Sequence, residues 1–254
     1  MKLSVAIATY NEEKKLGACL ASVSSWADEI VIVDGGSADR TVEFAKKYNA
    51  RIIKTDNPPI FHINKQKALE ACRGDWILQL DADEIVTDQL RDEILHITKF
   101  SILHSGFFIP RKNFFLGHWL RKGGQYPDYV IRLFKRGKGR FPCKSVHEQI
   151  TVDGSVGYLQ NPLLHYSYDS ITEYWRKANA YITLQVQELK TQNLAVTPTQ
   201  WFIYNAVKPT LTFFRIYLRH KGFVDGVWGF LFALFSALHH PLAYMRYLKD
   251  QQSS

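Results

Sequence analysis

Asp81 and Asp83, in Leu80-Asp81-Ala82-Asp83-Glu84, are the residues of this chain best placed to do chemistry. They close the apolar run Trp76-Ile77-Leu78-Gln79-Leu80. Alternate side chains of a strand point to one side, so two carboxylates one residue apart are expected together at the strand's C-terminal edge. No neighbouring thiolate favours zinc. Carboxylate oxygens suit Mg²⁺ or Mn²⁺ held jointly with the phosphates of a substrate. The indicated chemistry is that of a diphosphate, and not hydrolysis by a zinc-bound water. The plainer reading is that the pair caps a helix starting near Thr87-Asp88-Gln89-Leu90.

The elements that position this pair follow from the first hundred residues. Buried runs Leu3-Ser4-Val5-Ala6-Ile7-Ala8, Glu29-Ile30-Val31-Ile32-Val33, Arg51-Ile52-Ile53-Lys54 and Trp76 to Leu80 read as strands. Between them lie helical patterns around Leu16, Cys19, Leu20 and Val23, over residues 41–48, and over residues 64–72. Strand alternating with helix implies βαβ units and a parallel sheet, with ligands bound beyond the strands' carboxyl ends. Thr9-Tyr10-Asn11, Asp34-Gly35-Gly36-Ser37 and Asp81-Ala82-Asp83 all fall at such ends. Beyond residue 100, Gly106-Phe107-Phe108-Ile109 and residues 129–134 suggest an antiparallel continuation.

From Asp169 the chain reads as helical. Thr197-Pro198 is an N-cap followed by proline at the first helical position. Ile203, Val207, Leu211, Phe214 and Leu218 make one stripe, with Pro209 expected to kink it or split it into two short helices. Residues 226–245 carry no formal charge apart from histidine. A spanning helix needs about 20 apolar residues, and His239-His240-Pro241 is expected to break this run. The segment is therefore read as lying in a membrane interface, with Trp228, Tyr244, Arg246 and Lys249 near its ends. The plainer alternative is a hydrophobic hairpin packed on protein.

The 254 residues carry a formal net charge of +8, with a pI of about 9.3, which favours anionic partners. No basic, aromatic-interleaved module points to nucleic acid. Cys19, Cys72 and Cys143 are far apart and odd in number, which fits no disulfide framework or metal-ligand spacing and suits a reducing compartment. The apolar run of residues 3–8 is too short for a signal peptide.

Three segments in this order resemble the signatures of family 2 glycosyltransferases, which have the GT-A fold. They are Ala8-Thr9-Tyr10-Asn11-Glu12-Glu13, Val33-Asp34-Gly35-Gly36-Ser37-Ala38-Asp39-Arg40-Thr41 and Leu80 to Glu84. The likeness covers roughly residues 1–150. A narrower likeness, to bacterial lipopolysaccharide core glucosyltransferases acting on a heptose, rests on four features. These are Gly123-Gly124-Gln125-Tyr126-Pro127-Asp128, Arg132-Leu133-Phe134-Lys135-Arg136-Gly137, Val146-His147-Glu148 and the basic aromatic tail.

The resemblance implies an α/β catalytic domain over residues 1–168 and a helical, membrane-associating extension over residues 169–254. The catalytic domain would have a Rossmann-like, mostly parallel sheet with an antiparallel continuation. It implies an inverting hexosyltransferase using a UDP-sugar, glucose on the narrower likeness, and a divalent metal (Mn or Mg). Thr9, Tyr10, Asn11 and Glu12 would line the nucleotide. Asp34 would accept from the uracil N–H, and Lys65 would meet the base or diphosphate. Asp81 would touch the ribose or a metal-bound water, Asp83 would bind the ion, and His147 would add to the metal shell, with His165 the alternative. The general base is Glu148 or Asp128. The acceptor would be lipopolysaccharide or another lipid-linked sugar at the anionic cytoplasmic face of a bacterial inner membrane, approached peripherally, with a homo-oligomer left open. Rival readings are a polyprenyl-phosphate glycosyltransferase, a nucleotidyltransferase and a non-catalytic membrane scaffold with a GT-A shell. The nucleotidyltransferase would want a glycine-rich phosphate loop that Thr9-Tyr10-Asn11-Glu12 does not supply.

Overall fold

The computed structural model describes residues 1–100, 103–144 and 148–252. The strands in chain order are β1 (Leu3–Thr9), β2 (Glu29–Asp34), β3 (Arg51–Lys54), β4 (Trp76–Asp81), β5 (Glu84–Val86), β6 (Gly106–Phe115), β7 (His118–Trp119), β8 (Asp128–Lys135), β9 (Gly139–Arg140), β10 (Thr151–Val152), β11 (Val156–Tyr158) and β12 (Leu163–Tyr168). The helices are α1 (Leu16–Ala21), α2 (Thr41–Lys47), α3 (His62–Ala71), α4 (Asp88–Phe100), α5 (Ile171–Thr191), α6 (Pro198–Phe202), α7 (Lys208–Phe214) and α8 (Gly226–Gln252). The chain forms two compact units: Met1–Arg111 with Tyr129–His165, and Lys112–Asp128 with Tyr166–Ser254.

The first unit is built on the expected sheet. Its order is β3-β2-β1-β4-β8-β6-β12-β5. β1 pairs in parallel with β2 and β4, and β2 with β3. The antiparallel continuation starts where β8 pairs with β4, and β12 then pairs antiparallel with β5. Along β1, β2 and β4 the interior positions are apolar on both faces, apart from the buried Ser4 and Gln79. Val5, Ile7, Ile30, Ile32, Leu78 and Leu80 pack on one face with α1 and α4. Ala6, Val31, Val33 and Ile77 pack on the other with Ala68 and Leu69 of α3. A sheet covered on both faces gives near-continuous apolar runs in place of alternation.

The second unit is mostly helical. Thr197 accepts from the Gln200 N–H at 3.2 Å and Pro198 starts α6, as the sequence suggests. Pro209 is accommodated by a π-helical turn, Ile203–Val207, immediately before α7, with a second π turn at Arg215–Arg219. The wider π turn relieves the clash of a proline ring with the preceding turn.

The C-terminal segment differs from expectation. α8 runs unbroken for 27 residues through His239-His240-Pro241. By length and composition it could cross a membrane. An interior proline costs about 3 kcal/mol or more. The buried Ala237, Ala243, Tyr244 and Tyr247 on both sides of it offset that cost. Tyr244 is fully buried and is therefore not an interfacial anchor. Trp228 is stacked on His118, with ring centroids 5.9 Å apart.

Candidate functional site

The register of the parallel strands brings three polar tips side by side. Thr9 pairs with Asp34, and Ala8 pairs with Asp81. Asp34, at the end of β2, is only 2% exposed. Its Oδ2 accepts from the N–H groups of Gly36 and Ser37 at 3.2 and 3.1 Å. Its Oδ1 accepts from Ser37 Oγ at 2.5 Å and Thr9 Oγ1 at 3.4 Å. This carboxylate therefore shapes the Gly35-Gly36 loop, where Gly36 has a φ of +83°. Asn11, at a φ of 55°, clips the β1 tip to the same loop. Its N–H donates to Ser37 Oγ at 2.9 Å and its Oδ1 accepts from the Ala38 N–H at 2.9 Å. The Glu12 N–H donates to Thr41 Oγ1 at 2.8 Å, while Tyr10 stands 46% exposed beside them.

Asp81 ends β4, and residues 82–83 turn into β5. The strand period expected to carry Asp83 to the side of Asp81 stops at that turn. The helix cap belongs to Thr87, whose Oγ1 accepts from the Leu90 N–H at 3.2 Å, so neither aspartate is used as a cap there. Asp81 is held by cations: Arg132 Nη2 lies 2.6 Å from its Oδ2, and Lys65 Nζ pairs with its Oδ1. Gln79 Nε2 donates to Oδ1 at 3.1 Å. Burial pushes the Asp81 carboxyl up, but the charges of Arg132 and Lys65 outweigh it and hold it well below the usual carboxylate range. Lys65 also sits over the rings of Phe61 and Phe141, 5.0 and 5.9 Å from their centroids.

Glu84 is wholly buried under this turn. Its Oε2 accepts from the Asp81 N–H at 2.9 Å, and its Oε1 meets Arg132 at 2.7 Å and Arg111 at 3.4 Å. Burial opposes the charge of Arg132, but Asp81 and Glu84 raise its pKa further. Asp83 faces His165 of β12, with Oδ1 and Nε2 3.5 Å apart. Burial lowers the His165 pKa against the opposing charge of Asp83.

A cavity of about 210 Å³ opens here, walled by Lys65, Asp81, Arg111, Arg132, Phe141 and Glu148. Glu148 Oε1 accepts from the Lys144 N–H at 2.8 Å. Asp128 belongs to the other unit, where Asn113 Nδ2 donates to its Oδ2 at 3.0 Å. His147 lies outside the described residues. Among the described residues no group of three or more His, Cys, Asp or Glu side chains could hold a metal ion by protein ligands alone.

The residues without an assigned role in the sequence reading are Gln79, Glu84, Arg111 and Arg132. A signal for Arg132 was present: it interrupts Tyr129-Val130-Ile131-Arg132-Leu133-Phe134, and an arginine inside a buried strand is almost always paired.

Comparison with known proteins shows the family. Residues 4–148 match the family model described as glycosyl transferase family 2. The chain is 32% identical to the lipopolysaccharide core biosynthesis glycosyltransferase LpsC of Rhizobium meliloti, over 94% of its own length and 89% of that protein's. It is 29% identical to an uncharacterized glycosyltransferase of Rickettsia typhi, over 93% and 85%. Among solved structures, it is similar to S. aureus TarS in complex with UDP-GlcNAc, with a TM-score of 0.49 and 18% identity over 95% of this chain and 82% of that one. Of another TarS chain it spans 55%.

Proposed function

Since the chain belongs to glycosyltransferase family 2 and has a mixed sheet of the GT-A type, we propose that it is an inverting, divalent-metal-dependent hexosyltransferase. It takes a UDP-sugar as donor and a lipopolysaccharide core sugar as acceptor, at the cytoplasmic face of a bacterial inner membrane. The observation that carries this reading is the cavity in which Lys65, Arg111 and Arg132 gather around Asp81, beside the tips of β1 and β2. Clustered cations in a partly buried cleft suit a nucleoside diphosphate. The 32% identity to LpsC supports a core-sugar acceptor, with glucose as the sugar moved.

Asp83 and His165 fit a divalent ion: a hard carboxylate oxygen faces an imidazole that burial keeps neutral. Bound with the substrate diphosphate, such an ion would supply Lewis-acid help to the leaving group. His147 remains the proposed additional ligand. Lys65 and Arg132 place positive charge where the departing diphosphate gathers negative charge. Asp81 orients both cations and meets the ribose side of the donor. Thr9, Tyr10, Asn11 and Glu12 line the nucleotide, with Asp34 fixing their loop and offering its edge to the base. Glu148 is the proposed base, because it lines the same cavity as Asp81; Asp128 is the second candidate. The base takes the acceptor hydroxyl proton as that oxygen bonds to the anomeric carbon and the bond to UDP breaks, in one inverting displacement.

The catalytic part is residues 1–168 and the membrane-associating part residues 169–254. A second acceptor, polyprenyl phosphate, is the reading that a membrane span by α8 would support. The test is a panel of nucleotide-sugars with Mn²⁺ or Mg²⁺, followed by extracted core lipopolysaccharide and polyprenyl phosphate as acceptors. Thermal stabilisation by UDP plus metal and transfer to core sugar are expected. Stabilisation by no nucleotide would sink the donor assignment, and transfer to polyprenyl phosphate alone would replace the acceptor.

A further inference from the structure

The helical hairpin of the second unit carries a surface for which sugar transfer gives no use. Leu211, Phe214 and Leu218 follow at spacings of three and four along one arm, and each is at least 50% exposed. Phe223, Val224 and Val227, at the turn into α8, are 48–61% exposed. Ring contacts knit the arms together. Tyr217 meets Phe223 at 6.3 Å and Phe230 at 5.8 Å, and Phe213 meets Phe230 at 5.5 Å.

The charges on this hairpin have one sign. Arg215, Arg219 and Lys221 are exposed among these apolar side chains. From residue 192 to residue 249 the sequence has one acidic residue, Asp225. Its carboxylate is buried, accepting from the Arg121 and Lys122 N–H groups at 3.1 and 2.9 Å. The exposed cations therefore have no exposed carboxylate to answer them within this stretch.

We propose that this hairpin tip, residues 211–227, is the element that enters the interfacial layer of an anionic lipid bilayer. The inference deepens the membrane-surface part of the proposed function and rests on it. Apolar side chains insert at the boundary of headgroups and acyl chains, while Arg215, Arg219 and Lys221 meet lipid phosphates. A second copy of this chain is a poorer occupant, because its own hairpin would set cation against cation. Insertion at the tip also differs from a span by α8. Tyr244 and Tyr247 of α8 are buried with Ile182, Val186 and Leu189 of α5. The open side of α5 carries Arg176, Gln187, Glu188 and Lys190, which a hydrocarbon core would reject.

The test uses the full chain and sedimentation with vesicles of phosphatidylcholine, alone or with about 30% phosphatidylglycerol, a lipid of the anionic class that recruits basic segments. The variants are the triple L211S/F214S/L218S, the triple R215Q/R219Q/K221Q, and F223W as a fluorescent reporter. The unaltered chain should sediment with the anionic vesicles, and the tryptophan emission of the F223W variant should shift further to the blue on binding than that of the unaltered chain. The apolar triple should lose binding at least about tenfold. The basic triple should lose anionic preference, roughly fivefold per cation. Both should keep the unaltered circular dichroism and the unaltered rate of UDP-sugar hydrolysis without vesicles. Unchanged vesicle binding in both triples overturns the inference. So does a concentration-dependent dimer that the apolar triple abolishes while the unaltered chain ignores vesicles, or insertion that resists carbonate extraction. A chain that binds vesicles as described but uses no nucleotide-sugar would overturn the transfer reading and leave this one standing.

Discussion

The guanidinium of Arg132 stands 2.6 Å from the Asp81 carboxylate, on the strand where the antiparallel part of the sheet joins the parallel part. The same Nη2 lies 2.7 Å from Glu84. One cation from β8 thus ties down the two carboxylates that flank the turn after β4. Its partner Lys65 comes from α3, the helix that precedes β4. Asp81 and Glu84 are therefore already paired with cations of the protein, and Arg111 and Lys65 line the same cavity.

Replacing Arg132 by methionine should be costly. Glu84 would remain buried with the Asp81 N–H and the more distant Arg111 as partners, and breaking a buried pair by removing one partner costs about 3–5 kcal/mol. Urea unfolding should report a loss of that order. Arg132→Met with Glu84→Gln should recover part of it, since the stranded charge is removed as well. A loss near that of an exposed ion pair, below about 1 kcal/mol, would show that the network is not structural.

Asp34 offers a different failure. In Asp34→Ala the N–H groups of Gly36 and Ser37 lose their acceptor. A hydrogen bond to a charged group contributes about 1.5–3 kcal/mol, and the loop that Asn11 clips to β1 should loosen. Thermal stabilisation by UDP should fall along with the melting temperature. Full UDP stabilisation in the variant would separate this loop from nucleotide binding.

The parts of this architecture legible in sequence are those with enough residues to show a period. Leu3–Thr9, Glu29–Asp34 and Trp76–Asp81 are long and apolar, and their polar ends stand out against them. β5, β7, β9, β10 and β11 have two or three residues each, too few for alternation to register. The aspartates are legible because they are neighbours in the chain. Their cations are not, because Arg132 lies 51 positions from Asp81 and meets it only once β8 pairs with β4. The orientation of Asp83 is hidden for another reason: a turn at residues 82–83 ends the strand period before reaching it. In the tail, hydropathy marks α8 but cannot say that Tyr244 faces protein, a matter settled by α5.

Acid should weaken the start of the sheet through Glu29. Burial raises this carboxyl, but bonds from Ser4 Oγ at 2.6 Å, the Arg73 N–H at 2.9 Å and Arg51 at 2.9 Å outweigh it and lower its pKa. A carboxyl depressed in the folded state adds stability above its unfolded pKa of about 4.3. That stability is lost as pH falls through the lower folded value, because the unfolded chain then binds more protons. Chemical unfolding between pH 6 and about pH 3 should show a shallower decline for Glu29→Gln than for the unaltered chain. Parallel curves would show that Glu29 contributes no proton linkage.

Asp83→Ala tests the metal proposal most directly. Asp83 lies on the turn after β4 with its carboxylate facing His165, while Arg132 bridges Asp81 and Glu84. The variant should still fold when no metal is added, with a stability loss inside the usual range of about 0.5–3 kcal/mol for a point change, read from its melting temperature. Its transfer rate should fall by about a hundredfold or more, because a bound ion supplies several kcal/mol to the leaving group. His165→Ala, which removes the group 3.5 Å away, should keep some activity but need about tenfold more Mn²⁺ to reach half its maximum. Activity measured across a Mn²⁺ series distinguishes the two. Normal turnover by Asp83→Ala at low Mn²⁺ would move the ion, and the leaving-group chemistry with it, to other residues.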